Sequence, residues 1–91
     1  MFIITDNYVF LSVLTEKKIY KASLPPNEGT FEFEKVIDTG DLPRQVSYDP
    51  VEKKIYWVEY GSNLLRRCDL DGGGVQDFST TFGKFWMYFF F

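Results

Sequence analysis

The chain has 91 residues, enough for one small domain, with 45% hydrophobic and 20% aromatic content and ten Phe. Its formal charge of −3 argues against a nucleic-acid partner, which a binding domain usually meets with a basic face. The absence of His excludes a His-dependent triad or a His-bearing zinc site within the chain, and the single cysteine, Cys68, cannot close an internal disulfide.

Taken in chain order, Met1 to Asp6 has no basic n-region, and Asp6 and Asn7 interrupt its apolar run. It therefore reads neither as a signal peptide nor as a membrane span, which needs about 20 apolar residues. Phe2 to Thr5 reads as a degenerate first strand, and Tyr8 to Leu14 with Lys18 to Leu24 as a hairpin. Pro25 to Thr30 has the composition of a loop insertion. Phe31 to Ile37 is expected as an outer strand, with Phe33 and Ile37 on one face and Glu32 and Glu34 on the other. Thr39-Gly40-Asp41 turns the chain into a strand over Pro43 to Tyr48.

Asp49-Pro50 initiates the next turn, because the proline ring fixes its own φ and the aspartate can bond nearby backbone. Ile55 to Tyr60 is rich in β-branched and aromatic residues and reads as a strand. Ile55 and Trp57 point one way, and Tyr56, Val58 and Tyr60 the other, so both faces are apolar and both expect cover. Gly61-Ser62-Asn63 breaks this strand, Leu64 to Leu70 forms the next, and Asp71-Gly72-Gly73-Gly74 breaks that. Val75 to Phe78 is the last outer strand. The pairs Lys17-Lys18, Lys53-Lys54 and Arg66-Arg67 are too scattered for a basic stripe and read as solvated strand edges that discourage edge-to-edge pairing.

The chain repeats itself. At an offset of 46 residues (70 − 24), Ile19 to Leu24 lies over Leu65 to Leu70, and Val9 to Val13 over Ile55 to Glu59. Blade repeats of four strands run at roughly 40–45 residues, and the insertion at 25–30 accounts for the excess. A rival register of 36 residues (52 − 16) aligns the identical five-mers Glu16 to Tyr20 and Glu52 to Tyr56. It holds only briefly, since Asp49-Pro50 has no counterpart before Glu16, and 46 is preferred.

The residues Asp49, Pro50, Ile55, Tyr56, Trp57, Val58, Glu59, Gly61, Leu70, Asp71 and Gly72 carry a family resemblance. An Asp-Pro, a basic spacer, an aromatic strand, a Gly-Ser-Asn break and a closing Asp-Leu-Asp-Gly resemble one blade of the YWTD propeller. These are the class B repeats of the low-density lipoprotein receptor family. The tetrad is Tyr56-Trp57-Val58-Glu59 here, so the last two positions depart from Thr and Asp. Valine lacks the hydroxyl donor, and glutamate sets its carboxylate one methylene further out. The likeness implies an all-β fold of about two four-stranded antiparallel blades of an incomplete β-propeller. Residues 1–42 would form a degenerate blade, residues 43–83 a better-preserved one, and residues 84–91 an aromatic tail outside the repeat. Two blades cannot close a propeller of six, so a fragment of a larger parent is expected. The Phe-rich end then reads as a translated non-coding tail, against the alternative of a genuine end strand.

The same likeness implies a non-catalytic, extracellular or cell-surface module that binds a protein ligand or neighbouring receptor modules, with no cofactor. The alternative is a fragment of a calcium-dependent, lactonase-like hydrolase propeller. Asp69 and Asp71 with Glu59 are the carboxylates that could suggest calcium, but no glutamate closes an EF-hand loop. A turn-forming Asp71 before three glycines explains that residue without a metal. Gly72-Gly73-Gly74 lacks the Lys-Ser/Thr and helix of a phosphate loop, and its glycines suit positive φ in a turn. Cys68, in a slot where such repeats carry a small residue, is expected to be a buried thiol. An isolated pair of blades would leave apolar sheet faces open, so self-association through those faces or the 85–91 tail is expected.

Overall fold

The computed structural model describes residues 1–62 and 64–78. Among them there is no helix, and the chain forms two four-stranded antiparallel sheets. The first contains β1 (Phe2–Ile4), β2 (Tyr8–Val13), β3 (Lys18–Ser23) and β4 (Glu34–Asp38). The second contains β5 (Pro43–Asp49), β6 (Lys54–Glu59), β7 (Leu64–Asp69) and β8 (Gln76–Phe78). Each is a meander in sequence order, which short turns impose because antiparallel neighbours need only a few residues to connect. The second strands begin 46 residues apart (54 − 8), and so do the third strands (64 − 18). The expected aromatic tail at 84–91, and the end of the second repeat at 79–83, lie outside the described residues.

The sheets pack face to face around one core. Phe10, Ile19 and Val36 come from the first sheet, and Val46, Ile55, Trp57 and Cys68 from the second, all buried. Tyr48 joins them through its ring, 5.0 Å from Phe10 and 5.9 Å from Tyr8 between centroids. Ile55 and Trp57 are fully excluded from water. On the opposite face Val58 is 1% exposed, but Tyr56 is half-buried and Tyr60, just past the strand, is 36% exposed, so cover is complete on one face of β6 and partial on the other. The Lys21 ammonium crosses between sheets to donate to the Leu70 carbonyl at 2.8 Å.

Several elements depart from the sequence-based expectation. The fourth strand starts at Glu34, not Phe31, because the Asn27–Thr30 turn delays pairing until Lys21 meets Glu34. Phe31 and Phe33 therefore lie outside it, 41% and 42% exposed, with rings 6.3 Å apart. Within β4 the register slips: Ile19 pairs with Ile37 but Tyr20 with Lys35. The bulge leaves Val36 as the extra residue, so that consecutive side chains, Val36 and Ile37, both reach the core. A second bulge lies in β5, where Arg44 pairs with Val58 but Ser47 with Tyr56, and Gln45 adopts a φ of 51°. That left-handed residue turns Val46 into the core. Strand β5 also continues to Asp49, while β6 and β7 stop one residue early and leave Tyr60 and Leu70 outside.

Candidate functional site

Glu59 closes β6 and is 1% exposed, a costly place for a carboxylate unless its oxygens are matched. They are. Its Oε2 accepts from the Trp57 indole at 3.0 Å, from the Gly40 amide at 3.1 Å and from the Arg66 guanidinium at 2.7 Å. Strand geometry builds this node: Trp57 and Glu59 are two apart and share a face, and Arg66 pairs across β7 with Trp57. Arg66 also lies 5.7 Å from the Trp57 ring and bonds Asp77 of β8 at 2.7 Å. Burial alone would lower the Arg66 pKa, but hydrogen bonds to Glu59 and Asp77 outweigh it and raise the value. The node thus ties three strands to the linker at Gly40. Its carboxylate is occupied by internal donors, which suits a buttress rather than a reactant.

The remaining motif residues serve the frame. Asp49 Oδ1 accepts from the Val51 amide at 2.9 Å, so Asp49 and the exposed Pro50 do initiate the β5–β6 turn. Tyr56 accepts from Arg67 at 2.9 Å on the face of β6 opposite Trp57. Gly61 allows close approach of the linker, since a Cβ there would sit 2.1 Å from Asp41 Oδ2. Leu70 packs on the core, and Asp71 Oδ1 accepts from the Gly73 amide at 2.8 Å. Gly72 has a φ of +88°, and a Cβ on it would meet the Val36 carbonyl oxygen at 2.1 Å. Here the β7–β8 turn presses on β4 of the other sheet.

Asp69, Asp71 and Glu59 do not converge. Asp69 pairs with Lys54, Asp71 is held in its turn, and Glu59 bonds Arg66. Among the described residues, no group of three or more His, Cys, Asp or Glu side chains is placed to hold a metal ion. Cys68 is fully buried, and that burial pushes its thiol up to about 11, with Asp69 and Asp71 adding to the rise.

Arg66, Gly40 and Asp77 were missed as parts of a site. The arginine pair is not a solvated edge: the Arg66 and Arg67 side chains are only 18% and 21% exposed. A pairing of β6 with β7 through the Gly61 break would have set Arg66 opposite Trp57. Gly40 carried no such signal, because its partnership with Glu59 crosses between chain segments that only the tertiary fold joins.

The open surface lies at one end of the sheet pair, between the β1–β2 turn and the end of β5. A cleft of about 320 Å³ there is bordered by Ser47, Tyr48, Asp49, Pro50 and Tyr56. A neighbouring hollow of about 270 Å³ shares Tyr48 and Pro50 and adds Thr5, Asp6 and Asn7. Burial raises the Tyr48 pKa above its ordinary value. Among the described residues no helix is long and apolar enough to cross a membrane. No protein-family model matches the chain, and no curated protein matches it either.

Proposed function

We propose that this chain is a non-catalytic protein-binding module, built as two blades of a YWTD-type β-propeller of the low-density lipoprotein receptor class. One observation carries the reading: two four-stranded meanders stack face to face with their second and third strands 46 residues apart, and the tetrad Tyr56 to Glu59 lies in the second strand of its sheet. The tetrad's departures are consistent with it. Val58 is buried without needing a hydroxyl partner, and the longer Glu59 side chain reaches Gly40 and Arg66. A place outside the cell or at its surface belongs to the same proposal.

Binding is favoured over lactonase-like hydrolysis because the carboxylates of the motif are spent on turns and ion pairs. Among the described residues Asp49, at the end of β5, is the one strand carboxylate bordering the cleft, and its Oδ1 is held by the turn amides. The cleft around Tyr48, Asp6 and Pro50 is the surface assigned to the ligand. The test immobilises the chain and screens it against ectodomains of secreted and matrix proteins, with lactone and ester hydrolysis assayed in parallel with calcium. Saturable binding weakened by Asp6→Lys supports the reading. Calcium-dependent hydrolysis, a calcium-induced rise in melting temperature, or no binding across the panel overturns it.

A further inference from the structure

The direction in which the sheets stack has a consequence for assembly. The first sheet meets the second with Tyr8, Phe10 and Ile19, whereas the second meets the first with Ile55, Trp57 and Cys68. At the 46-residue correspondence Tyr8 and Phe10 match Lys54 and Tyr56, which lie on the outward face of the second sheet. Ile55 and Trp57 match Val9 and Leu11, which lie on the outward face of the first. The two sheets therefore use opposite faces of one common frame. Such a contact is heterologous, and each outward face is the counterpart of the inward face across the joint.

The outward face of the first sheet is apolar across its strands. Cross-strand rows run Phe2, Leu11, Tyr20 and Ile4, Val9, Ala22, with Val9 and Ala22 buried and the exposure concentrated at the β1 edge. Phe2 and Ile4 are 61% and 65% exposed, the most exposed large apolar side chains in any described strand. On the second sheet the outward face carries the row Arg44, Val58, Leu65, Phe78, in which Arg44 and Phe78 are exposed, Leu65 is half-buried and Val58 is buried beneath its neighbours. Lys18, Lys35 and Arg67 are ion-paired within their own sheets, while the exposed Arg44 lies over the Tyr60 ring at 4.9 Å. Lys18 and Lys35 bond Asp38 at 3.3 and 2.7 Å, and Arg67 reaches Glu52 at 3.3 Å. Little like-charge repulsion then opposes contact.

We propose that the outward face of the first sheet docks head to tail on the outward face of the second sheet of another copy of this chain. The contact between copies repeats the one made within each copy. This rests on the stacking direction alone and stands or falls separately from the family reading.

The test uses the full chain. Sedimentation equilibrium should give a species larger than one chain, and Ile4→Glu should raise its apparent Kd at least about 100-fold, since a buried unpaired charge is costly. Val51→Glu, at an 88% exposed turn position, should leave it unchanged. Should Ile4→Glu fail to fold, single-cysteine chains decide the matter. Ile4→Cys and Leu65→Cys chains are mixed and oxidised, while native Cys68 stays buried. Crossed disulfides between the two variants support the head-to-tail contact. Ile4→Cys pairing mainly with itself, a monomer at all concentrations, or an aggregate indifferent to Ile4→Glu overturns it.

Discussion

Leu11 and Trp57 hold the same place in their two sheets, in the second strand and 46 residues apart (57 − 11), yet only Trp57 is excluded from water. Leu11 is half-buried. Two residues on, Val13 corresponds to Glu59, and across the hairpin Tyr20 corresponds to Arg66. The second sheet therefore carries an indole, a carboxylate and a guanidinium where the first carries Leu, Val and Tyr. The difference follows from what lies over each face. A buried charge is tolerable only where it can be fully paired, and the face of the second sheet that meets the first supplies that enclosure. The corresponding face of the first sheet looks outward.

The largest expected effect comes from removing the indole. Trp57→Ala should cost about 3–5 kcal/mol in urea denaturation, whereas Leu11→Ala should cost about 1–2 kcal/mol because its side chain already touches water. Equal losses would mean that the faces are covered alike, and a Trp57→Ala loss below about 1 kcal/mol would remove the basis for the comparison.

Next comes the carboxylate. Glu59→Gln should cost about 2–3 kcal/mol, since the ion pair with Arg66 is lost and the acceptor for Gly40 becomes a neutral amide oxygen. A double-mutant cycle with Arg66→Met should show coupling of about 1 kcal/mol or more. Additive losses would separate Glu59 from Arg66 and weaken the idea of a shared node.

Two glycines sharpen the contrast further. Gly72 and Gly29 have similar φ values of +88° and +82°, but a Cβ on Gly72 meets the Val36 carbonyl while one on Gly29 meets nothing within 4 Å. Gly29→Ala should therefore cost only the left-handed backbone term, about 1 kcal/mol. Gly72→Ala should exceed it by about 1 kcal/mol or more, because the sheets must shift apart. Matching melting temperatures for the two variants would show that the turn does not press on β4.

The smallest effect is electrostatic and lies at the exposed edge of the first sheet. Hydrogen bonds from Lys35 and Lys18 hold the Asp38 carboxyl below its ordinary value of 3.8. A depressed folded pKa stabilises above the unfolded value and loses that contribution as pH falls through the folded one. Asp38→Asn should thus slightly lower stability at neutral pH and converge with the parent curve in acid. Curves that diverge on acidification would reverse the sign.

The sequence by itself determined the strands, their turns and the repeat. Alternation in β6 announced two apolar faces, Asp49-Pro50 announced its turn, and Gly72 and Gly74 do take positive φ. The identical five-mers at 16–20 and 52–56 show how local this information is. Each begins in a turn, each places its first lysine in the left-handed region, at φ 56° for Lys17 and 58° for Lys53, and each runs into a strand. Yet one five-mer leads into the third strand of its sheet and the other into the second. The 46-residue repeat and the missing Asp-Pro before Glu16 already told the two apart along the chain. Only the tertiary structure decided the bulges at Gln45 and Val36 and the bond from Gly40 to Glu59. Turn chemistry and side-chain alternation act over a few residues and can be read along the chain. Bulges, buried ion pairs and the choice of covered face depend on which distant surface arrives, and no local pattern encodes that arrival.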